Sequence, residues 1–230
     1  MNARHILISL IFGFTTIFYI RYGDFTSALT KEDGIIEYLS ALFYLVGFFA
    51  GLISIHKNGH ILFTLLWTAL CLIFLGEETS WFQRLLHYSV PFIERQNAQN
   101  EFNIHNLNIF NNTSLTLALA ESDYIAFIKA LLSPRSLFQI GFFCYFSVIP
   151  VFSHNKTINK SLSSLGYKKP DTGFIIAIIA VIFTCYSMSF NTPPDVEHGL
   201  SETREMLYAY FIMTYILCYI WPSETNQFSG

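Results

Sequence analysis

Charge is what this chain has least of. Asp, Glu, Lys and Arg make up 13% of its 230 residues, about half the share usual in soluble domains. Stretches with none of the four cover 38–56, 58–76, 136–155, 172–194 and 206–223. Each is near or beyond the roughly 18 to 20 residues that cross a bilayer as a helix, which excludes an ordinary soluble domain. Cysteine is also scarce. Cys71, Cys144, Cys185 and Cys218 contain no CxxC pair and no disulfide framework, and packing roles inside spans are expected of them. There is no phosphate loop, no nucleophile elbow, no HExxH and no basic nucleic-acid surface. Internal repeats and low-complexity tracts are missing as well.

What fills the chain instead is 53% hydrophobic and 17% aromatic residues. This composition predicts an all-α polytopic membrane protein, a single integral membrane domain over residues 1–230 with about six transmembrane helices: 6–20, 35–55, 61–76, 137–151, 174–190 and 206–221. The first run follows Arg4, as a signal peptide would. No small-residue cleavage site follows it, and Phe18, Tyr19 and Tyr22 suit an interfacial anchor, so it is read as a retained span.

Lys156, Lys160, Lys168 and Lys169, set against Asp171 alone, place the 154–171 loop in the cytoplasm by the positive-inside rule. Counting spans from there puts both termini inside, and the expected location is a bacterial inner membrane. Fourteen of the sixteen acids then face outward, all but Asp171 and Glu224. Glu37, Glu77, Glu78 and Glu205 stand at the outer ends of three different spans. A carboxylate at the hydrocarbon rim is costly unless it meets protein, water, a cation or a base, so these acids are expected to line one outward-facing polar hollow. Separate glutamates reaching into the headgroups are the competing picture.

Between spans three and four lies an extracytoplasmic interfacial segment, 79–135. Trp81, Leu85 and Tyr88 share a helical face, which predicts an interfacial amphipathic helix ended by Pro91. An Asn-rich outer loop follows, with Asn97, Asn100, Asn103, Asn106, Asn108, Asn111 and Asn112. Amides at this density predict a loop that satisfies its own backbone or holds a polar ligand.

Three clusters could carry chemistry. In the first, a continuing helix would place Glu77 and Arg84 on one face and turn Glu78 away, separating an acid from a base or forming an ion pair; Gln83 lies beside them. In the second, Glu101 and His105 at i and i+4 could share a metal or couple as acid and base, with Asn103 and Asn106 alongside. In the third, Glu202 and Glu205 follow Ser201, a plausible N-cap for the sixth span.

GEETSWFQR at 76–84, followed by NAQNEFNIHNL at 97–107, resembles a signature shared by bacterial multi-span membrane proteins of no agreed activity, GEExSWxQR and NxQxExNxHN. The resemblance implies a multi-span fold and brings no substrate with it. A distant similarity is to the ceramidase-like membrane hydrolases, which set Glu, Ser and His residues around zinc among helices. The paired C-terminal histidines of that family are missing, since only His198 lies near the last span. The EExxxR of membrane-embedded CAAX-type proteases is not matched, because Arg84 stands six residues past Glu78 where four are wanted.

The expected function is hydrolysis or transfer on a lipid or lipid-linked substrate, with a divalent metal ion as cofactor. Glu77, Glu78, Arg84 and His105 are the candidate catalytic residues, and Arg84 could clamp a phosphate or carboxylate. Gln83, Asn97, Asn103 and Asn106 are the candidate substrate contacts. Glu37, Glu78, Glu101, His105 and Glu205 are the candidate metal ligands. The expected partners are membrane lipid and a lipid-linked substrate, with no nucleic acid. A transporter or ion-coupled assembly component using the same glutamates is the first alternative, and a structural or interaction protein the second.

Overall fold

Continuous apolar runs in hydrocarbon must satisfy their backbone N–H and C=O groups locally, and a helix does so within one segment. The protein, seen in a computed structural model, is all-helical among the described residues: 3–23, 34–58, 62–97, 100–104, 107–109 and 124–221, without the side chains of Arg84 and Leu85. In chain order the helices are α1 (Ala3–Tyr22), α2 (Ile35–Asn58), α3 (Leu62–Glu78), α4 (Gln83–Leu86), α5 (Pro91–Glu94) and α6 (Tyr124–Leu131). They continue as α7 (Pro134–Phe152), α8 (Lys156–Ser164), α9 (Thr172–Ser189) and α10 (Pro194–Tyr215). Four of them, α1, α2, α7 and α9, are long and apolar enough to cross a membrane. They coincide with the first, second, fourth and fifth expected spans. At the third, α3 has 17 residues. At the sixth, α10 begins at Pro194 and carries Asp195, Glu197, Glu202, Arg204 and Glu205 ahead of the expected span.

The chain divides into two compact units, Met1–Leu75 with Phe152–Gly230, and Gly76–Val151. In the first, α10 is the centre. It packs most extensively on α2 and also meets α1 and α9, burying Leu200, Met206, Leu207, Phe211 and Ile212 completely or nearly so. The Tyr210 ring lies 4.7 Å from Phe12 and 5.5 Å from Phe43. A methyl group at Gly13 would come within 2.5 Å of Val181, so this glycine sets how closely α1 and α9 approach.

The basic segment between α7 and α9 contains the helix α8. Asn155 caps α8 by accepting from the amides of Thr157 and Ile158 at 2.9 and 3.3 Å. Three bonds tie the following residues down: Phe63 N–H to the Leu165 carbonyl at 3.0 Å, Tyr215 hydroxyl to the Lys168 carbonyl at 2.6 Å, and Tyr219 hydroxyl to the Asp171 carboxylate at 2.9 Å.

Two helices widen locally into π turns. In α7 the turn covers Cys144–Val148, just before Pro150. A proline ring there would collide with the carbonyl four residues back in an α turn, and a wider turn relieves this. The second, Ile216–Ile220, extends α10, and the buried Ser54 hydroxyl donates to the Ile220 carbonyl at 2.6 Å.

Three local expectations are corrected. The interfacial helix expected to put Trp81, Leu85 and Tyr88 on one face does not form: Ser80, Trp81 and Phe82 have φ of 46°, 53° and 62°, and His87 has 51°, which breaks the segment into one 3-10 turn and the four-residue α4. Pro91 does not end a helix; it starts α5, since its missing N–H is no loss at the first helical position. Ser201 is not an N-cap, because α10 already begins at Pro194, behind Pro193, with Asp195 and Glu197 in its first turn.

Candidate functional site

Gly76, near the end of α3, is buried. A Cβ there would meet the Trp81 indole at 2.8 Å, so the ring covers the helix end and needs glycine beneath it. The helix stops after Glu78, and three successive residues enter the left-handed region, each at a cost of roughly 1–2 kcal/mol. Such a turn persists only where tertiary bonds hold it.

Those bonds come from side chains of the turn itself and of the segment that follows it. Glu77 accepts the indole N–H of Trp81 at 2.9 Å through one oxygen and the backbone N–H of Ile104 at 2.7 Å through the other. The buried Ser80 hydroxyl donates to the Glu101 carboxylate. Tyr88 donates to the Trp81 carbonyl at 2.8 Å. Gln83 bridges two segments, accepting from the Phe102 amide at 2.8 Å and donating to Glu94 at 2.5 Å. The buried Asn97 amide group donates to the backbone and side-chain oxygens of Asn103, at 2.8 and 2.6 Å. Asn97 and Leu107 also form an isolated antiparallel bridge. The stretches 76–84 and 97–107 are therefore each other's hydrogen-bond partners.

Glu94 secures the corner before α5. The Ser89 hydroxyl and the Val90 amide donate to its carboxylate and, with a lesser contribution from the Gln83 amide, hold its pKa below the ordinary carboxylate range against the opposing effect of desolvation.

Of the expected site residues, Glu77, Gln83, Asn97, Glu101 and Asn103 meet in this network. The helical i, i+4 spacing expected for Glu101 and His105 is not found, because residues 100–104 form bends, and the Glu101 carboxylate serves Ser80. Likewise, the continuing helix expected to align Glu77 with Arg84 ends at Glu78. Glu78 is half-buried at that last helical position. His105, Asn106 and the Arg84 side chain lie outside the described residues. Among the described residues no three His, Cys, Asp or Glu side chains group as a metal site. Glu37, in the first turn of α2, and Glu205, inside α10 with its Oε1 sealed from solvent, are both half-buried and belong to the first unit.

One residue was missed from the sequence. Arg204 is 9% exposed on α10. Its guanidinium carbon lies 4.3 Å from the centroid of the Tyr186 ring, and one terminal nitrogen donates to Ser201 at 3.0 Å. Its Nε is buried with no hydrogen-bond acceptor. Taking a guanidinium out of water costs several kcal/mol, whereas a desolvated aromatic face contributes about 2 kcal/mol. A lone Arg two residues before the charge-free run at 206–223 was the available signal.

Compared with protein-family models, with curated proteins and with solved structures, the chain matches none.

Proposed function

We propose that the chain is a six-span protein of a bacterial inner membrane, with both termini in the cytoplasm. Its outer segment performs metal-dependent hydrolysis or transfer on a lipid or lipid-linked substrate. The observation that carries this reading is the left-handed turn Ser80–Phe82, held by Glu77, Glu101 and Tyr88. Strained backbone fastened by several side chains is characteristic of sites that pre-organise reactive groups.

The hydrogen bonds divide the labour. Both oxygens of Glu77 are engaged, as are both ends of the Gln83 amide, so these residues position the turn. Asn97 and Asn103 hold the second half of the signature. Glu78, Arg84 and His105 are the groups assigned to the reaction. Glu78 and His105, with Glu101, offer the oxygen and nitrogen donors that suit a divalent cation. Arg84 suits a phosphate through its planar fork of donors. Glu37 and Glu205 are not needed for this reading.

A transporter is the second reading, favoured by the π turns in α7 and at the end of α10, because interrupted membrane helices accompany ion and substrate sites. The test is turnover of lipid phosphoesters and lipid amides by purified protein, with and without a chelator. Chelator-sensitive turnover lost in Glu78→Gln and His105→Ala supports the enzyme. No turnover, with solute flux in proteoliposomes, supports the transporter.

A further inference from the structure

Helix ends of the first unit meet at one level. A Cβ at Gly173 would stand 2.6 Å from the Ile6 side chain, which sets the start of α9 beside the start of α1. The Ser54 hydroxyl, near the end of α2, reaches the Ile220 carbonyl beyond α10. Tyr219, from the same extension, reaches Asp171 before α9, and Phe63 at the start of α3 reaches Leu165. This end is strongly basic. Arg4, Lys57, Lys156, Lys160, Lys168 and Lys169 belong to it, and Asp171 is the one acid among its described residues. Helix α8 is fixed here at both of its ends. Asn155 caps its start. At its close Gly166, with φ 85°, makes a Schellman turn in which the Tyr167 amide donates to the Leu162 carbonyl at 2.9 Å and the Gly166 amide to that of Ser163 at 3.0 Å. The Tyr167 ring then packs edge-on against Phe63, centroids 5.7 Å apart. Ile158, Leu162 and Leu165 share one face of α8, and Lys156 and Lys160 lie on the other. Ile158 is 38% and Leu165 43% exposed, as are both lysines fully on the outside of the fold. Among the described residues neither lysine has an ion-pair partner.

We propose that α8 lies in the headgroup layer of a bilayer containing anionic phospholipid, with Ile158, Leu162 and Leu165 turned to the acyl chains and Lys156 and Lys160 drawn to the charged surface. Two observations fix the occupant. Residues 165–171 join α8 to α9, a helix of membrane length, and they are bonded to the bundle at Leu165, Lys168 and Asp171, which holds α8 at the border of the hydrocarbon. The positive charge of this end is matched by one described acid, already bonded to Tyr219, whereas anionic headgroups supply countercharge over an area, as lysines on flexible stems require. A polar helix with lysines on one side and branched apolar residues on the other has the pattern of an interfacial helix. The surface is exposed, so no cavity is needed. It uses none of the residues assigned to the reaction above, and stands if that reaction is disproved.

The experiment is amide hydrogen exchange across α8 in the full chain, reconstituted into nanodiscs of phosphatidylcholine alone or of phosphatidylcholine with phosphatidylglycerol. In the wild type, α8 is expected to exchange at least roughly fivefold more slowly in the discs with phosphatidylglycerol, the effect of one lysine near a charged surface, while α9 exchanges alike in both. High salt should shrink that difference, and the double variant Lys156→Gln, Lys160→Gln should abolish it. Ile158→Asn should exchange faster than the wild type in both discs, through loss of its apolar contact. Equal rates for wild-type α8 in the two discs, or a slowing no greater than that of α9, would overturn the proposal and leave this face to another protein. A lipid difference that persists in the double variant would overturn it as well. If the double variant does not fold, the wild type in high salt decides: a difference that salt leaves unchanged overturns the proposal, and one that salt removes supports it.

Discussion

Trp81 donates its indole N–H to the carboxylate of Glu77 at 2.9 Å, across the end of a helix that stops one residue after that glutamate. The other Glu77 oxygen takes the amide of Ile104, twenty-seven positions on. One side chain thus fixes both the turn that leaves α3 and the loop that returns to it. In Glu77→Ala, two donors lose a charged acceptor, and a stability loss of about 2–3 kcal/mol is expected. Glu77→Gln, which retains one acceptor oxygen, should lose less. Hydrogen exchange at the Ile104 amide reads the contact itself: protection should fall in Glu77→Ala, and unchanged protection would show that the bond does not form in solution.

Gly76 tests the packing above the same turn. With the indole 2.8 Å from where a Cβ would stand, Gly76→Ala should destabilise by about 1–3 kcal/mol through overpacking. The cost should largely vanish in a Trp81→Ala background, and a double-mutant cycle on melting free energies measures that coupling.

His87 is exposed and left-handed, φ 51°, just past α4. Glycine occupies that conformation without steric cost. His87→Gly should therefore stabilise by about 1 kcal/mol, visible as a higher melting temperature.

Helices α1, α2, α7 and α9 were legible because unbroken charge-free runs specify a membrane helix without any periodic pattern. The turn at Ser80 was not. Trp81, Leu85 and Tyr88 have helical spacing, and what overrides it is a contact with Gly76 and bonds to Glu77 and Glu101, none visible as a local pattern. Of the asparagine-rich loop, the described residues show Asn97 bonded to Asn103, a pairing that no local pattern specified. The start of α10 was misread although its sign was present: in TPPDVE, a proline followed by acids opens a helix as readily as it breaks one. Helix α8 carries its Asn155 cap and no Pro or Gly before Gly166, which is a helix signal, whereas its lysines mark only the side of the membrane.

Glu94 predicts a pH dependence. Its folded-state pKa is lowered, first by the Ser89 hydroxyl and then by the Val90 amide. Its contacts therefore add stability in full above the ordinary glutamate pKa of about 4.3, and that contribution is lost as the pH falls through the lowered value. Glu94→Gln should melt below the wild type at neutral pH, and the two curves should converge in acid. Melting temperatures measured from neutral to strongly acidic pH check this; a constant gap across the range would contradict it.

The assignment of Glu78, Arg84 and His105 to chemistry, and of Glu77 and Gln83 to positioning, is tested by the divalent-metal content of detergent-purified protein. The wild type should retain stoichiometric metal, Glu78→Gln and His105→Ala should lose it, and Gln83→Ala should keep most of it in a less stable fold. A wild type free of metal after purification in metal-supplemented buffer, or variants at Glu78 and His105 that bind as the wild type does, would contradict the metal-dependent enzyme.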